Sequence, residues 1–100
     1  MNKDREMTQT IRKQIINLLL DGDFSAREIS QTVKIREKEV YDHLVHISRS
    51  VSTRNKTLVI APIHCLSCGY VFKDRKHFTR PSRCPLCKSS RIETPRYRIH

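Results

Sequence analysis

The sequence predicts an α+β fold: a helical N-terminal half, then a small β lobe that holds every cysteine. Three observations carry this reading. Apolar residues recur at steps of three and four through the first fifty positions. All four cysteines lie between Cys65 and Cys87, as two Cys-x-x-Cys pairs with fifteen residues between them. Short β-rich runs, rather than helical patterns, flank those pairs.

The chain has 100 residues, 37% of them hydrophobic, and no Trp. Neither half can bury a large core, so a staple is expected, and a metal is a usual one in so small a unit. A Cys-x-x-Cys turn brings two sulfurs to one side of a knuckle, and two facing knuckles complete a tetrahedron of thiolates for Zn²⁺. One structural zinc on Cys65, Cys68, Cys84 and Cys87 is therefore the expected cofactor. Iron uses the same four-cysteine set, and cysteines alone do not choose between the two metals. Four protein ligands leave no position for a reactive water. With no Gly-rich phosphate loop and no paired carboxylates near a His, an enzyme is not expected.

The formal charge is +10, or about +8 once four thiolates hold one Zn²⁺. Residues 1–57 hold eleven Lys/Arg against eight Asp/Glu; residues 58–100 hold nine against two. The cysteine half is the basic half, and such a balance points to polyanionic partners. The start, Met1-Asn2-Lys3-Asp4-Arg5-Glu6, lacks the apolar region of a secretory signal. No apolar run approaches a membrane span. The expected setting is cytoplasmic, without membrane contact, where paired cysteines bind metal rather than cross-link.

Residues 1–6 are polar and expected to fray. Met7, Ile11, Ile15, Leu18 and Leu19 then form one apolar stripe. Thr8 or Thr10 suits its cap, and Gly22 suits a left-handed terminator. Ser25-Ala26-Arg27-Glu28 reads as a capping box, with Phe24 and Ile29 as a hydrophobic staple. A short second helix over 26–33 buries Ala26, Ile29 and Val33. After a Lys34-Ile35 turn, a third helix over 36–50 buries Val40, Leu44 and Ile47. Two helices so joined make a helix-turn-helix pattern; a plain three-helix bundle that binds protein has the same pattern.

The run Phe24-Ser25-Ala26-Arg27-Glu28-Ile29-Ser30, then Val33 and Ile35, then Val40-Tyr41-Asp42-His43-Leu44 and Ile47, resembles the winged helix-turn-helix of prokaryotic transcription regulators, including the ArsR type. The resemblance spans roughly 8–60. Departures are Arg36, where the family often has Ser or Thr, and the acidic Glu37, Glu39 and Asp42 on the third helix. Acidic groups beside phosphates are costly, although they accept from cytosine N4.

Ser52 to Thr57 is a polar, basic connector, and Leu58-Val59-Ile60-Ala61 a strand that Pro62 ends. It runs almost directly into Cys65, so the metal lobe replaces or extends a wing and packs against the helices without a tether. Gly69 tolerates the positive φ after the first knuckle; Lys88 holds the matching place in the second. Tyr70-Val71-Phe72, Ile92 and Pro95 to Ile99 read as strands, the last with Tyr97 and Ile99 on one face. Strands after each knuckle resemble a rubredoxin-like zinc ribbon. Taken together, the chain resembles a largely archaeal family of predicted transcriptional regulators: an ArsR-like winged helix-turn-helix over 1–60 fused to a four-cysteine zinc ribbon over 61–100.

That resemblance implies double-stranded DNA as partner. The contacts expected are Arg36, Lys38, Tyr41, Asp42 and His46 of the third helix, and Arg54 and Lys56 of the connector. Arg75, Lys76 and Arg80 add phosphate contacts from the loop over 73–83, where five basic residues face one acidic one. Phe78 in that loop stacks on a base or fills the ribbon core. Regulators of this kind often dimerise, though no helix beyond the three is left for the purpose. A second class stays open: a metal-sensing or metal-delivery module, or a ribbon that docks on RNA polymerase or another protein. Cys65-Leu66-Ser67-Cys68-Gly69 and Cys84-Pro85-Leu86-Cys87-Lys88-Ser89 are similar to the ribbon of hydrogenase-maturation nickel chaperones. Their His-Glu start is missing here, where Asn2-Lys3 stands.

Overall fold

The computed structural model describes residues 3–72 and 77–100. Helices α1 (Lys3–Asp21), α2 (Ala26–Val33) and α3 (Glu37–Ser52) fill the first half. The strands are β1 (Phe24–Ser25), β2 (Leu58–Ile60), β3 (Ile63–His64), β4 (Val71–Phe72) and β5 (Arg96–Ile99). Among the described residues, no helix is long and apolar enough to cross a membrane.

Helix α1 begins at Lys3 and runs through Thr8 and Thr10, so neither threonine caps it and the polar start is helical. Residues 3–10 contain no Gly or Pro, so nothing in them stops a helix. At the other end the Gly22 amide still donates to the Leu18 carbonyl at 3.2 Å. Gly22 is not among the residues with positive φ, so the expected left-handed terminator is absent there.

Helix α2 starts as its residues dictate. The Glu28 amide donates to Ser25 Oγ at 3.2 Å, and the Ser25 amide donates to Glu28 Oε1 at 2.9 Å. Lys34 turns the chain at φ 59°, and the Ile35 amide returns to the Ser30 carbonyl at 3.0 Å. Arg36 sits at the N-cap of α3 without a side-chain cap bond. Val40, Leu44, Ile47 and Val51 then repeat at helical spacing and are all buried.

The sheet order is β1-β5-β2, antiparallel throughout. Phe24 and Ile60 both face Tyr97 on β5, and Leu58 faces Ile99. Tyr97 is fully buried and Ile99 nearly so, in one core with Ile15, Leu19, Ile29 and the α3 stripe. The last strand, read from sequence as part of the ribbon, thus closes the sheet of the helical half. The physical reason is that β1 and β2 each have a free edge, and a central β5 pairs both. The chain leaves this sheet through β2, builds the cysteine lobe, and returns through β5. A division after residue 60 places β5 with the lobe in sequence, while its pairing places it with the helices.

A second, smaller core joins Ile63, Cys65, Cys84 and Ile92, with Phe72 packed against it. Strands β3 and β4 pair over it, and Cys65 bridges Ile92. No tether separates the two cores: the Ala61 amide donates to the Arg96 carbonyl at 2.9 Å. Phe78 packs on the first core, its ring edge-on to Tyr97 with centroids 6.0 Å apart. The Tyr97 hydroxyl donates to the Phe78 carbonyl. The expectation that Phe78 fills the ribbon core or stacks on a base is corrected accordingly.

Candidate functional site

The two knuckles are built alike. In the first, the Gly69 amide donates to the Cys65 carbonyl at 2.9 Å and the Cys65 amide to the Tyr70 carbonyl at 2.8 Å. In the second, Lys88 donates to Cys84 and Cys84 to Ser89, each at 2.9 Å. Both turns end in a left-handed residue, Gly69 at φ 80° and Lys88 at φ 66°. Only glycine adopts that region without cost, so Lys88 carries a small strain that its partner knuckle avoids. The Ser67 and Ser89 hydroxyls lie 2.9 Å apart and tie one knuckle to the other. Behind them the Leu66 amide donates to Arg91 at 2.8 Å and Glu93 to His64 at 3.1 Å.

The four sulfurs all lie within 4.8 Å of one another. Cys65 and Cys87 are 3.5 Å apart, Cys68 and Cys84 3.6 Å. A tetrahedral Zn²⁺ with ordinary Zn–S bonds needs sulfurs about 3.8 Å apart. The donor set fits the ion. Cys65 and Cys84 are buried, Cys68 and Cys87 exposed, so one side of the centre faces the second core and the other the solvent.

Electrostatics make the same point. Burial pushes the Cys65 thiol up, but the Cys68 and Ser67 amides and the neighbouring sulfurs outweigh it and bring it to about 6. For Cys68 the Tyr70 amide favours the thiolate, yet burial and the three other sulfurs push it up to about 12. Burial likewise raises Cys84, while the Cys87 and Leu86 amides and the Cys68 and Cys87 sulfurs together lower it below its ordinary value. Four thiolates so close cannot all ionise alone; a dication lets them.

Residues 62–100 match the family model described as the PF0610 rubredoxin-like zinc beta-ribbon domain, and residues 10–59 match the one described as PF0610-like, N-terminal. The chain belongs to the PF0610-like family. It is similar to protein PF0610 from Pyrococcus furiosus, which has a solution NMR structure. The two are 38% identical over 92% of this chain and 90% of that one, with a TM-score of 0.79. No curated protein matches the chain. This PF0610-like chain therefore carries a zinc ribbon, and its four cysteines form a tetrathiolate site for one structural zinc.

The eight described residues among the ten expected to contact nucleic acid do not form one surface. Arg36 and Lys38 are exposed at the start of α3. Asp42 is exposed beside Val45 and Arg49, in a cleft of about 370 Å³ whose far wall is His77 to Thr79 of the lobe. Tyr41 is half-buried against the first core. Burial raises its hydroxyl above the ordinary tyrosine value, and Glu37 beside it adds to that. Arg80 stands close to Tyr41 and Glu37 at the junction of the two cores. His46 on another side of α3, and Arg54 and Lys56 in the turn after it, line a groove shared with α1. Arg75 and Lys76 lie outside the described residues.

Arg96, one of the basic residues of the cysteine half, does not add to an open basic surface. Its guanidinium instead meets Glu28 at 2.9 Å, the Asp23 carboxylate at 3.3 Å and the Asp23 carbonyl at 3.0 Å. It clasps the start of α2 to β5. Ser25 and Arg96 together hold the Glu28 carboxyl below its usual value, the Ser25 amide contributing most. Sequence reasoning missed Arg12 and Lys13, which join His46, Arg54 and Lys56. The available signal was Ile16 and Leu20, apolar residues of α1 that fall outside its main stripe.

Proposed function

We propose that this PF0610-like chain is a non-enzymatic, cytoplasmic regulator of transcription that binds double-stranded DNA as a winged helix-turn-helix. One observation carries the reading. The order α1-β1-α2-α3-β2-β5, with β5 between β1 and β2, is the order expected of a winged helix, and in this reading the zinc ribbon stands where the tip of the wing would be. A wing lies beside the recognition helix and follows the phosphate backbone, so a basic lobe at its tip is suitably placed to grip phosphates. Arg36 and Lys38 present cations at the start of α3, the end that enters a major groove.

The test is fluorescence anisotropy on duplexes from a random pool, in rising salt. The affinity should fall with each phosphate contact contributing about 0.9 to the logarithmic slope. Arg75→Ala with Lys76→Ala should weaken all duplexes alike, and Lys38→Ala should change the preference among them. An affinity that does not respond to salt refutes the reading.

A second reading, protein docking through the ribbon, is favoured by Leu66 and Leu86. One comes from each knuckle, and they are 54% and 69% exposed. The exposed face of α3 is also slightly acidic rather than basic, with Glu37, Glu39 and Asp42 against Lys38 and Arg49. Capture of RNA polymerase in the absence of DNA, abolished by Leu66→Ser with Leu86→Ser, would establish it.

A further inference from the structure

Helix α1 packs mainly on β5 and α2 and only lightly on α3. A groove of about 410 Å³ stays open between α1, the C-terminal half of α3 and the end of β5. Its floor is apolar: Ile47, Val51 and Ile99 from the core, with Ile16 and Leu20 on the α1 side. Leu20 is 46% exposed, an unusual place for a leucine beside a gap.

The rim has one sign of charge. Arg12, Lys13, Arg54 and Lys56 line it with His46, and no Asp or Glu does. Arg12 is oriented by its Nε, which donates to His43 Nδ1 at 3.1 Å. Arg54 and Lys56 are held by a tight turn. Both their amides donate to the Val51 carbonyl at 3.0 Å, and Asn55 between them adopts φ 60°. The next residue, Thr57, exchanges two backbone bonds with His100 at the end of β5. The backbone that carries Arg54 and Lys56 is thus fixed beside an apolar slot. Lys13, Arg54 and Lys56 have no carboxylate partner among the described residues.

We propose that this groove is a binding site for a small amphipathic anion, a carboxylate or phosphate head on an apolar body. The size is within the range of ligand pockets, roughly 300–1,000 Å³, which combine apolar walls with a few converging polar groups. Charge complementarity selects the head: four guanidinium or ammonium side chains line one rim, with no salt bridge to a carboxylate among the described residues. The floor selects the body, because burying Leu20, Ile16 and an apolar tail together removes all three from water. A neutral apolar ligand leaves the cations unanswered, and a purely ionic one leaves the floor wet. His46, Arg54 and Lys56 are also among the expected DNA contacts, so in a regulator this is the place where a metabolite of this class acts.

The zinc-loaded full chain is titrated with sodium octanoate at fixed ionic strength, and backbone and methyl NMR shifts are followed. Octylammonium chloride and sodium phosphate serve as controls for the tail alone and the head alone. Saturable shifts are expected at Ile16, Leu20, Ile47 and Arg54 with octanoate, and not with either control. Lys13→Gln with Arg54→Gln should weaken octanoate about tenfold, the loss expected when charge-assisted bonds are removed. Both positions are exposed, so the variant should melt with the parent. Leu20→Ser should weaken octanoate independently of charge. Equal binding of octylammonium, the same shifts with phosphate, or no saturation below the micelle concentration overturns the proposal. So does a Lys13→Gln, Arg54→Gln variant that binds like the parent.

Discussion

Truncating the Ile99 side chain in β5 should be costly. Its side chain is 4% exposed, faces Leu58 across β5 and β2, and belongs to the core of the three helices. Ile99→Ala removes three carbons from that core. At about 0.8 kcal/mol each the transfer loss is about 2.4 kcal/mol. The remaining cavity brings the total to about 3 kcal/mol, inside the usual range of about 2–5. In a chain of this size that is a fall in Tm of about 12–24 °C. The measurement is urea unfolding followed by helical circular dichroism, with zinc saturating in both proteins so that metal linkage cancels. The midpoint should drop with an unchanged slope, while zinc affinity holds. A loss under about 1 kcal/mol, the scale of surface changes, would refute the placement of β5 in the helical core. A drop in zinc affinity without loss of helix stability would refute it equally.

Other expectations concern the metal and the interior. Metal analysis should find one zinc per chain, and cobalt substitution should give the visible bands of a tetrahedral thiolate site; Cys87→Ser should abolish them. His43 titrates below its ordinary value of 6.5 because burial disfavours its charged form and Arg12 repels it. The unfolded chain therefore takes up a proton there before the folded one does, so stability is full above 6.5 and declines as pH falls below it. Urea midpoints between about pH 7.5 and 5.5 should show the decline, and His43→Gln should flatten it. Chelation of zinc should erase the second core while the helices persist.

The helical half was legible because its signals are local. The Ser25–Glu28 box, the Lys34 turn and the Val40–Leu44–Ile47 stripe each follow from residues a few positions apart, and each stands where the sequence places it. The metal site was legible for the same reason: a Cys-x-x-Cys spacing is itself a geometry. What could not be read is what pairs across long separations. The alternation of Tyr97 and Ile99 shows that β5 has a buried face, but not that its neighbours are Phe24 and Leu58. Phe78 carries no periodic signal at all, being one ring in a loop, and its partner Tyr97 is 19 residues away. His46, by the helical wheel, lies on the solvent side of α3. Only the placement of α1 and the Ser52–Lys56 turn reveals that it shares a groove with Arg54 and Lys56.

The expected survival of the helices on chelation follows from how the lobe is inserted. Between β2 and β5 the chain spends about 35 residues, and their ordering matters to the helical sheet only as a loop that must close. Closing a disordered loop of that length rather than one shortened by the zinc cross-link to about ten costs about 1 kcal/mol, since the penalty grows with the logarithm of length. Two anchors then remain independent of the metal: the Ala61–Arg96 backbone bond and the Phe78–Tyr97 contact. The zinc, by contrast, supplies the folding energy of its own lobe, where Ile63, Cys65, Cys84 and Ile92 are too few to form a core unaided. On methyl NMR, Ile63 and Ile92 should therefore lose their native shifts on chelation while Ile15 and Leu44 keep theirs. Simultaneous loss of all four would mean that the metal holds the helices as well, and that the lobe is part of the helical core.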